Sequence, residues 1–150
     1  LYAKAQELGC NKIALGHHFN DVVETTLMAL LYGAQIQAMP PKLHSKNFPG
    51  MELIRPLYCV HEDDIIAWKN YNHLRFLQCA CRFTEARDAA EDGVGQSKRQ
   101  EMKLLLREMR RTNPNVEKSI FAAIHGVQLD TMVGVKFRGK EYSFLDYYDR

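Results

Sequence analysis

The chain has 150 residues, 46% of them hydrophobic, and a formal net charge of +2. That is one domain's worth of chain with enough apolar content for a core, which excludes an intrinsically disordered tail, and the small charge surplus means that nucleic-acid binding must rest on local clusters. The longest apolar run, Leu27 to Tyr32, is far short of the roughly 20 residues of a membrane helix, so no membrane partner is expected.

Taken in order, Leu1, Ala5 and Leu8 share one helical face and Gly9 follows as the left-handed residue that ends a helix. Because the chain starts at Leu1 inside that helix, without an initiator Met, it reads as a piece of a longer one. Lys12 to Gly16 has the compact apolar character of a buried parallel strand. Asp21 with Glu24 three residues on predicts a capping box opening a helix to Tyr32, closed by Gly33. Residues 34–50 form a long connection around Met39-Pro40-Pro41-Lys42, with room for a short extended piece at Lys42 to His44. Met51 to Arg55 predicts a strand stopped by Pro56. Glu62, Asp63 and Asp64 supply the acidic first turn of a helix to about Tyr71, and Phe76-Leu77 reads as a last short strand ending near Cys79 and Cys81.

The Ala-, Asp-, Glu- and Gly-rich stretch 84–96 has linker composition. Ser97 and Gln100 then open an amphipathic helix that Asn113-Pro114 breaks, and Val116 to His125 forms a second helix ending at Gly126. Met132 to Phe137 and Glu141 to Leu145 flank Arg138-Gly139-Lys140 as a terminal β-hairpin.

Three constellations carry chemistry. A strand ending in Gly16-His17-His18 and followed by a helix places titratable groups at the carboxyl end of a sheet, where open α/β folds bind ligands. The imidazoles there suit phosphate contact, proton transfer or metal binding, with Asp21 just beyond; read blandly, Asp21 and Glu24 are only caps. Cys79 and Cys81 offer at most two soft ligands, fewer than zinc or an iron–sulfur cluster needs. Four unpatterned cysteines, two of them with a single residue between them, suit a reducing cytoplasm. Lys98, Arg99, Lys103, Arg107, Arg110 and Arg111 outnumber Glu101 and Glu108 on one helix, which fits either phosphate neutralisation or a solvated face.

In order, Gly16-His17-His18, Asp21, Glu24-Thr25, Tyr32-Gly33, Met39-Pro40-Pro41-Lys42, Ile54-Arg55-Pro56-Leu57 and Glu62-Asp63-Asp64-Ile65 resemble the tRNA 2-thiocytidine biosynthesis branch of the PP-loop ATPase superfamily, over roughly residues 1 to 125. The resemblance implies an α/β, Rossmann-like parallel sheet flanked by helices, present in part, with a C-terminal helical extension. Residues 1–82 would be the C-terminal part of the α/β domain, 83–96 a mobile linker, 97–126 a tRNA-contacting extension and 127–150 a tail.

Such enzymes use ATP and magnesium to adenylate the C2 oxygen of a cytidine in the tRNA anticodon loop, after which sulfur displaces AMP. By the same resemblance His17, His18 and Asp21 are the catalytic candidates, and Gly16, Lys42 and Arg55 the cofactor-binding ones. Cys79, with Cys81 beside it, is the candidate ligand of a 4Fe-4S cluster whose two further cysteines would lie upstream. Lys98, Arg99, Lys103, Arg107, Arg110 and Arg111 would hold tRNA. A sulfur donor protein is a further expected partner, the location is cytoplasmic, and a homodimer is compatible with the sequence.

The departures are informative. No Ser-Gly-Gly occurs, so the superfamily's SGGxDS phosphate loop is absent from this stretch, and Asn20 stands where the family commonly has the first of two Asp. The chain alone is therefore expected not to turn over. Two alternatives stand beside the sulfurtransferase: a non-catalytic tRNA-binding module, and a sister PP-loop enzyme such as tRNA lysidine synthase, which shares the His-His-Asp elbow but does not call for Cys79.

Overall fold

A computed structural model describes residues 1–76, 98–146 and 148. Helix α1 (Tyr2–Glu7) leads into β1 (Lys12–Ala14), and Gly9 between them takes φ +69°, the left-handed conformation expected of it. Helix α2 (Phe19–Gly33) crosses over to the hairpin of β2 (Lys42–His44) and β3 (Glu52–Ile54), and α3 (Glu62–Tyr71) follows with its acidic first turn. Beyond the undescribed stretch come α4 (Lys98–Thr112) and α5 (Val116–His125), then the hairpin of β4 (Gly134–Phe137) and β5 (Lys140–Ser143). Its turn residues Arg138 and Gly139 both have positive φ, the pattern of a two-residue turn that follows the strands' twist. Among the described residues no helix is long and apolar enough to cross a membrane.

The fold is α/β as expected, and in this part the Rossmann-like sheet combines a parallel with an antiparallel pair. The order is β1-β3-β2, with β1 and β3 parallel, Ala14 opposite Ile54, and β2 antiparallel to β3, Lys42 opposite Ile54. The cause is connection length: the short loop from β2 to β3 permits only a hairpin, whereas α2 provides the crossover that a parallel pair requires. Strand β1, expected to be buried, is not. Among the described residues it has one neighbour, Lys12 and Ala14 are exposed, and only Ile13 is half-buried. Phe76 is in no strand, while Leu77, Cys79, Cys81 and the linker over 83–96 lie outside the described residues.

The start of α2 is also corrected. His18, with extended backbone, is the N-cap, and Asp21 is the third helical residue, accepting the His18 backbone N–H at 3.0 Å. The capping relation is thus His18 with Asp21, not Asp21 with Glu24, which frees Glu24 to turn inward. At the other end Gly33 is still helical, and Ala34 takes the left-handed turn at φ 50°.

The core is built where α2, α4 and α5 meet. Phe19, Val23, Leu106 and Val116 form a buried cluster, with Leu27, Ile120 and Phe121 packed on it. Burying each such side chain contributes roughly 1.5–3 kcal/mol. The Phe19 ring lies between His61 and Phe121, at 4.1 and 4.7 Å between centroids. Beside it Asn20 is buried and bonded twice: its Oδ1 accepts the Glu62 backbone N–H at 2.9 Å, and its Nδ2 donates to Glu117 Oε1 at 3.3 Å.

An aspartate at this position keeps the first bond and turns the second into two carboxylates facing each other in a buried site. Asn20→Asp is therefore expected to lower stability by about 1–3 kcal/mol, read by urea unfolding. A variant as stable as the parent would show that the amide's donor is not required.

Candidate functional site

The parallel ladder continues one bond past β1, from the Leu15 N–H to the Ile54 carbonyl at 2.9 Å, which sets Leu15 level with Arg55 and Gly16 one residue beyond it, at the carboxyl ends of β1 and β3. On the other side the Arg55 N–H donates to the Pro41 carbonyl at 2.9 Å, and its Nη1 donates to that of Pro40. Because β2 runs antiparallel, its first residue, Lys42, lies at this same end. The sheet thus brings Gly16, Lys42 and Arg55 to one end, with His17 and His18 leading from it into α2. A Cβ on Gly16 would meet nothing within 4 Å, so the space there is open.

Three nitrogen atoms at this end, His17 Nδ1, His18 Nδ1 and Arg55 Nε, are buried and have no hydrogen-bond partner among the described residues. Buried polar atoms are nearly always paired, so an unpartnered group of this kind suits a site that a polar ligand completes. Burial also holds the Arg55 guanidinium below its usual range.

Behind this wall lies a network of charges. Asp21 divides its oxygens: Oδ2 faces the His18 backbone N–H at 3.0 Å and His18 Nε2 at 3.3 Å, and Oδ1 accepts from Arg99 Nη1 at 3.1 Å. One turn on, the Glu24 side chain is only 3% exposed, with Oε2 at 3.5 Å from Arg99 Nε and Oε1 at 3.9 Å from Lys103 Nζ. Lys103 also reaches Glu62 at 3.3 Å. Burial pushes the Glu24 carboxyl from 4.5 up to about 7, overcoming the opposing pull of Lys103 and Arg99, and the neighbouring Asp21 and Glu62 push the same way. A carboxyl that titrates near neutrality inside a cleft has the physical profile of a functional group.

The six cations of α4 are divided among several surroundings. Arg99, Lys103 and Arg110 lie on the stripe of the helix that also carries the buried Met102 and Leu106, and each is paired inward, Arg110 with Glu117 at 2.6 Å. Lys98 pairs with Glu101 at 3.1 Å and lies over the Tyr32 ring, while Arg111 pairs with Glu108 at 2.9 Å on the surface. Arg107 has no ion pair among the described residues.

Asn20, Glu24, Glu62, Lys103, Arg107 and Glu117 help line a polar cavity of about 150 Å³. A larger concavity, about 690 Å³ and mostly apolar, belongs to the C-terminal hairpin and includes none of the elbow residues. Sequence reasoning took Glu24 for a cap and missed Glu62 and Glu117 as its companions.

A curated tRNA-cytidine(32) 2-sulfurtransferase of Geobacter sulfurreducens is 38% identical over 128 residues, covering 85% of this chain and 46% of that protein. The protein of the same name in Delftia acidovorans is 37% identical over 125 residues, covering 83% of this chain and 36% of its own length. The chain thus spans less than half the length of these curated relatives. Among solved structures, the U34-tRNA thiolase NcsA from Methanococcus maripaludis, determined with its 4Fe-4S cluster, superposes with a TM-score of 0.58 at 17% identity, covering 89% of this chain and 43% of that one, a likeness of fold. The family described as the PP-loop domain matches residues 1–81, the span that carries the sheet, the His17-His18 elbow and Arg55, and the chain belongs to that family.

Proposed function

We propose that this chain forms one wall of the active site of an ATP-dependent tRNA sulfurtransferase, which adenylates and then thiolates a cytidine of the anticodon loop. The observation that carries the reading is the gathering of Gly16, His17, His18, Lys42 and Arg55 at one sheet end, with three buried nitrogens that have no partner among the described residues. In this reading Arg55 and Lys42 draw the phosphates of ATP, and the start of the 15-residue α2 adds its positive dipole end. Open space at Gly16 lets backbone and phosphate approach closely. ATP supplies the activation: the cytidine C2 oxygen attacks the α-phosphorus and pyrophosphate leaves, and sulfur then attacks C2 as the C2–O bond breaks and AMP departs. Asp21 holds the His18 ring from which a proton can be taken or given.

The finer parts of the proposal rest on the resemblance of the motifs. A 4Fe-4S cluster ligated at Cys79, with Cys81 beside it and two upstream cysteines, would carry the sulfur. Both residues lie outside the described part, and among the described residues no three His, Cys, Asp or Glu side chains are placed to hold a metal ion, magnesium included. A sulfur donor protein, a homodimer and a cytoplasmic location belong to the same reading.

The test is anaerobic incubation of the protein, read from its complete reading frame, with tRNA, ATP, magnesium and sulfide. Thiolated cytidine is measured by nucleoside mass spectrometry and the cluster by its absorbance. Expected are thiocytidine with release of AMP, and loss of cluster and product in Cys79→Ala, with Cys81→Ala tested alongside. Lysine-dependent lysidine formation instead would point to the sister enzyme, and tRNA binding without AMP release to a binding module; either would sink the proposal.

A further inference from the structure

Arg99 and Lys103 sit one turn apart on α4 and meet two carboxylates one turn apart on α2. The Arg99 guanidinium spans both: its Nη1 donates to the Asp21 oxygen that His18 does not use, at 3.1 Å, and its Nε faces Glu24 Oε2 at 3.5 Å as an ion pair without a hydrogen bond. Lys103 closes the other side of Glu24 and ties it to Glu62 of α3. From α2, α3 and α4 the charged groups that face Glu24 are Asp21, Glu62, Arg99 and Lys103.

We infer that Arg99 and Lys103 are positioning residues of the elbow, holding Asp21 against His18 and fixing Glu24, and that RNA-facing charge on α4 falls to Arg107 and Arg111. The inference rests on the proposed function for its reaction and on the ion-pair geometry for its assignment. Magnitudes separate the two groups of cations. Drawing Arg99, itself 43% exposed, to an RNA phosphate strips a counter-charge from a carboxylate that is 3% exposed and that water does not reach to replace it. The Arg111–Glu108 pair is 72% and 67% exposed at its two ends, and such pairs exchange partners at little cost. Arg107 has no protein carboxylate to leave among the described residues.

The experiment compares Arg99→Ala, Arg99→Lys and Lys103→Met in the full chain by three readouts: the Glu24 titration followed by carboxyl NMR, the salt dependence of tRNA binding, and thiolation turnover. Arg99→Ala is expected to raise the Glu24 midpoint by roughly one unit, since an opposite charge at this range is lost, and to lower turnover tenfold or more. Its log–log salt slope stays that of the parent, whereas Arg107→Ala and Arg111→Ala each reduce the slope by about 0.7–0.9. Arg99→Lys, which keeps the charge but not the fork, returns the Glu24 midpoint toward the parent value. The inference is overturned if Glu24 titrates unchanged in both Arg99→Ala and Lys103→Met, or if Arg99→Ala reduces the salt slope like a phosphate contact. A parent protein that does not thiolate tRNA would instead remove the functional reading, and the Glu24 titration would still decide this one.

Discussion

On the proposed function, Asp21→Asn in the protein read from its complete reading frame is expected to lower tRNA thiolation by about 10²-fold or more while costing only about 1 kcal/mol of stability. The disparity follows from how the carboxylate is used. One oxygen accepts the His18 N–H and faces the His18 ring at 3.3 Å, and the other accepts from Arg99. An amide of the same shape has one acceptor and one donor group, so it can satisfy His18 or Arg99 but presents N–H to N–H at the other. The lost cap contributes about 0.5–2 kcal/mol, and the Arg99 end of the ion pair, 43% exposed, is worth little in stability. Orientation of His18 would have no such substitute in the proposed proton-transfer role, because a group displaced from its angle loses most of a 10²–10⁴-fold contribution. Single-turnover thiolation with saturating ATP and tRNA, set beside urea unfolding, reads the two effects separately. Turnover within threefold of the parent would remove Asp21 from the catalytic set. A loss matched by a fall in the fraction folded would make the effect one of stability.

Much of the secondary structure was legible because punctuation residues act locally. Gly9 and Gly126 end their helices, Glu62 opens α3, Asn113-Pro114 separates α4 from α5, and Arg138-Gly139 turns the last hairpin. The gathering of Gly16, Lys42 and Arg55 was expected from resemblance alone; the register of β1, β3 and β2 brings all three to one end.

What was not legible depends on which way a side chain faces. Capping rules cannot choose between Asp21 as cap and Asp21 as third helical residue, and that choice decides whether Glu24 points to solvent or inward. A count of six cations on one helix likewise cannot separate Arg99 and Lys103, paired with carboxylates of α2, from Arg107, which has no ion pair among the described residues, and Arg111, paired on the surface. The partners of the inward cations lie far off in the chain, 78 residues in the case of Arg99 and Asp21, beyond any local rule.

The inward turn of Glu24 has a thermodynamic signature. Its carboxyl titrates near 4.5 in the unfolded chain and near 7 in the folded one, because burial outweighs Lys103 and Arg99. Below pH 4.5 both states hold the proton and the group favours neither. Between 4.5 and about 7 the folded chain keeps a proton that the unfolded chain has released, so stability falls as pH rises, and above about 7 the loss is complete. At 1.36 kcal/mol per unit the full loss is about 3 kcal/mol, an upper figure for a group still facing two cations. Glu24→Gln removes this titration without changing the shape of the side chain, and Arg99 and Lys103 keep enough exposure to be hydrated without it. Urea unfolding at pH 5 and pH 8 should therefore show the parent losing about 2–3 kcal/mol more than the variant across that interval, with the histidines and other carboxyls cancelling in the comparison. Equal losses in the two proteins would mean that Glu24 ionises in the folded chain as it does in the unfolded one. A destabilising carboxylate beneath the His17-His18 elbow is the reverse of what selection for stability alone would retain, since a glutamine would fold better at neutral pH. Its expected signature is accordingly a variant that is more stable at pH 8 and less active, the exchange of stability for function that marks a working site.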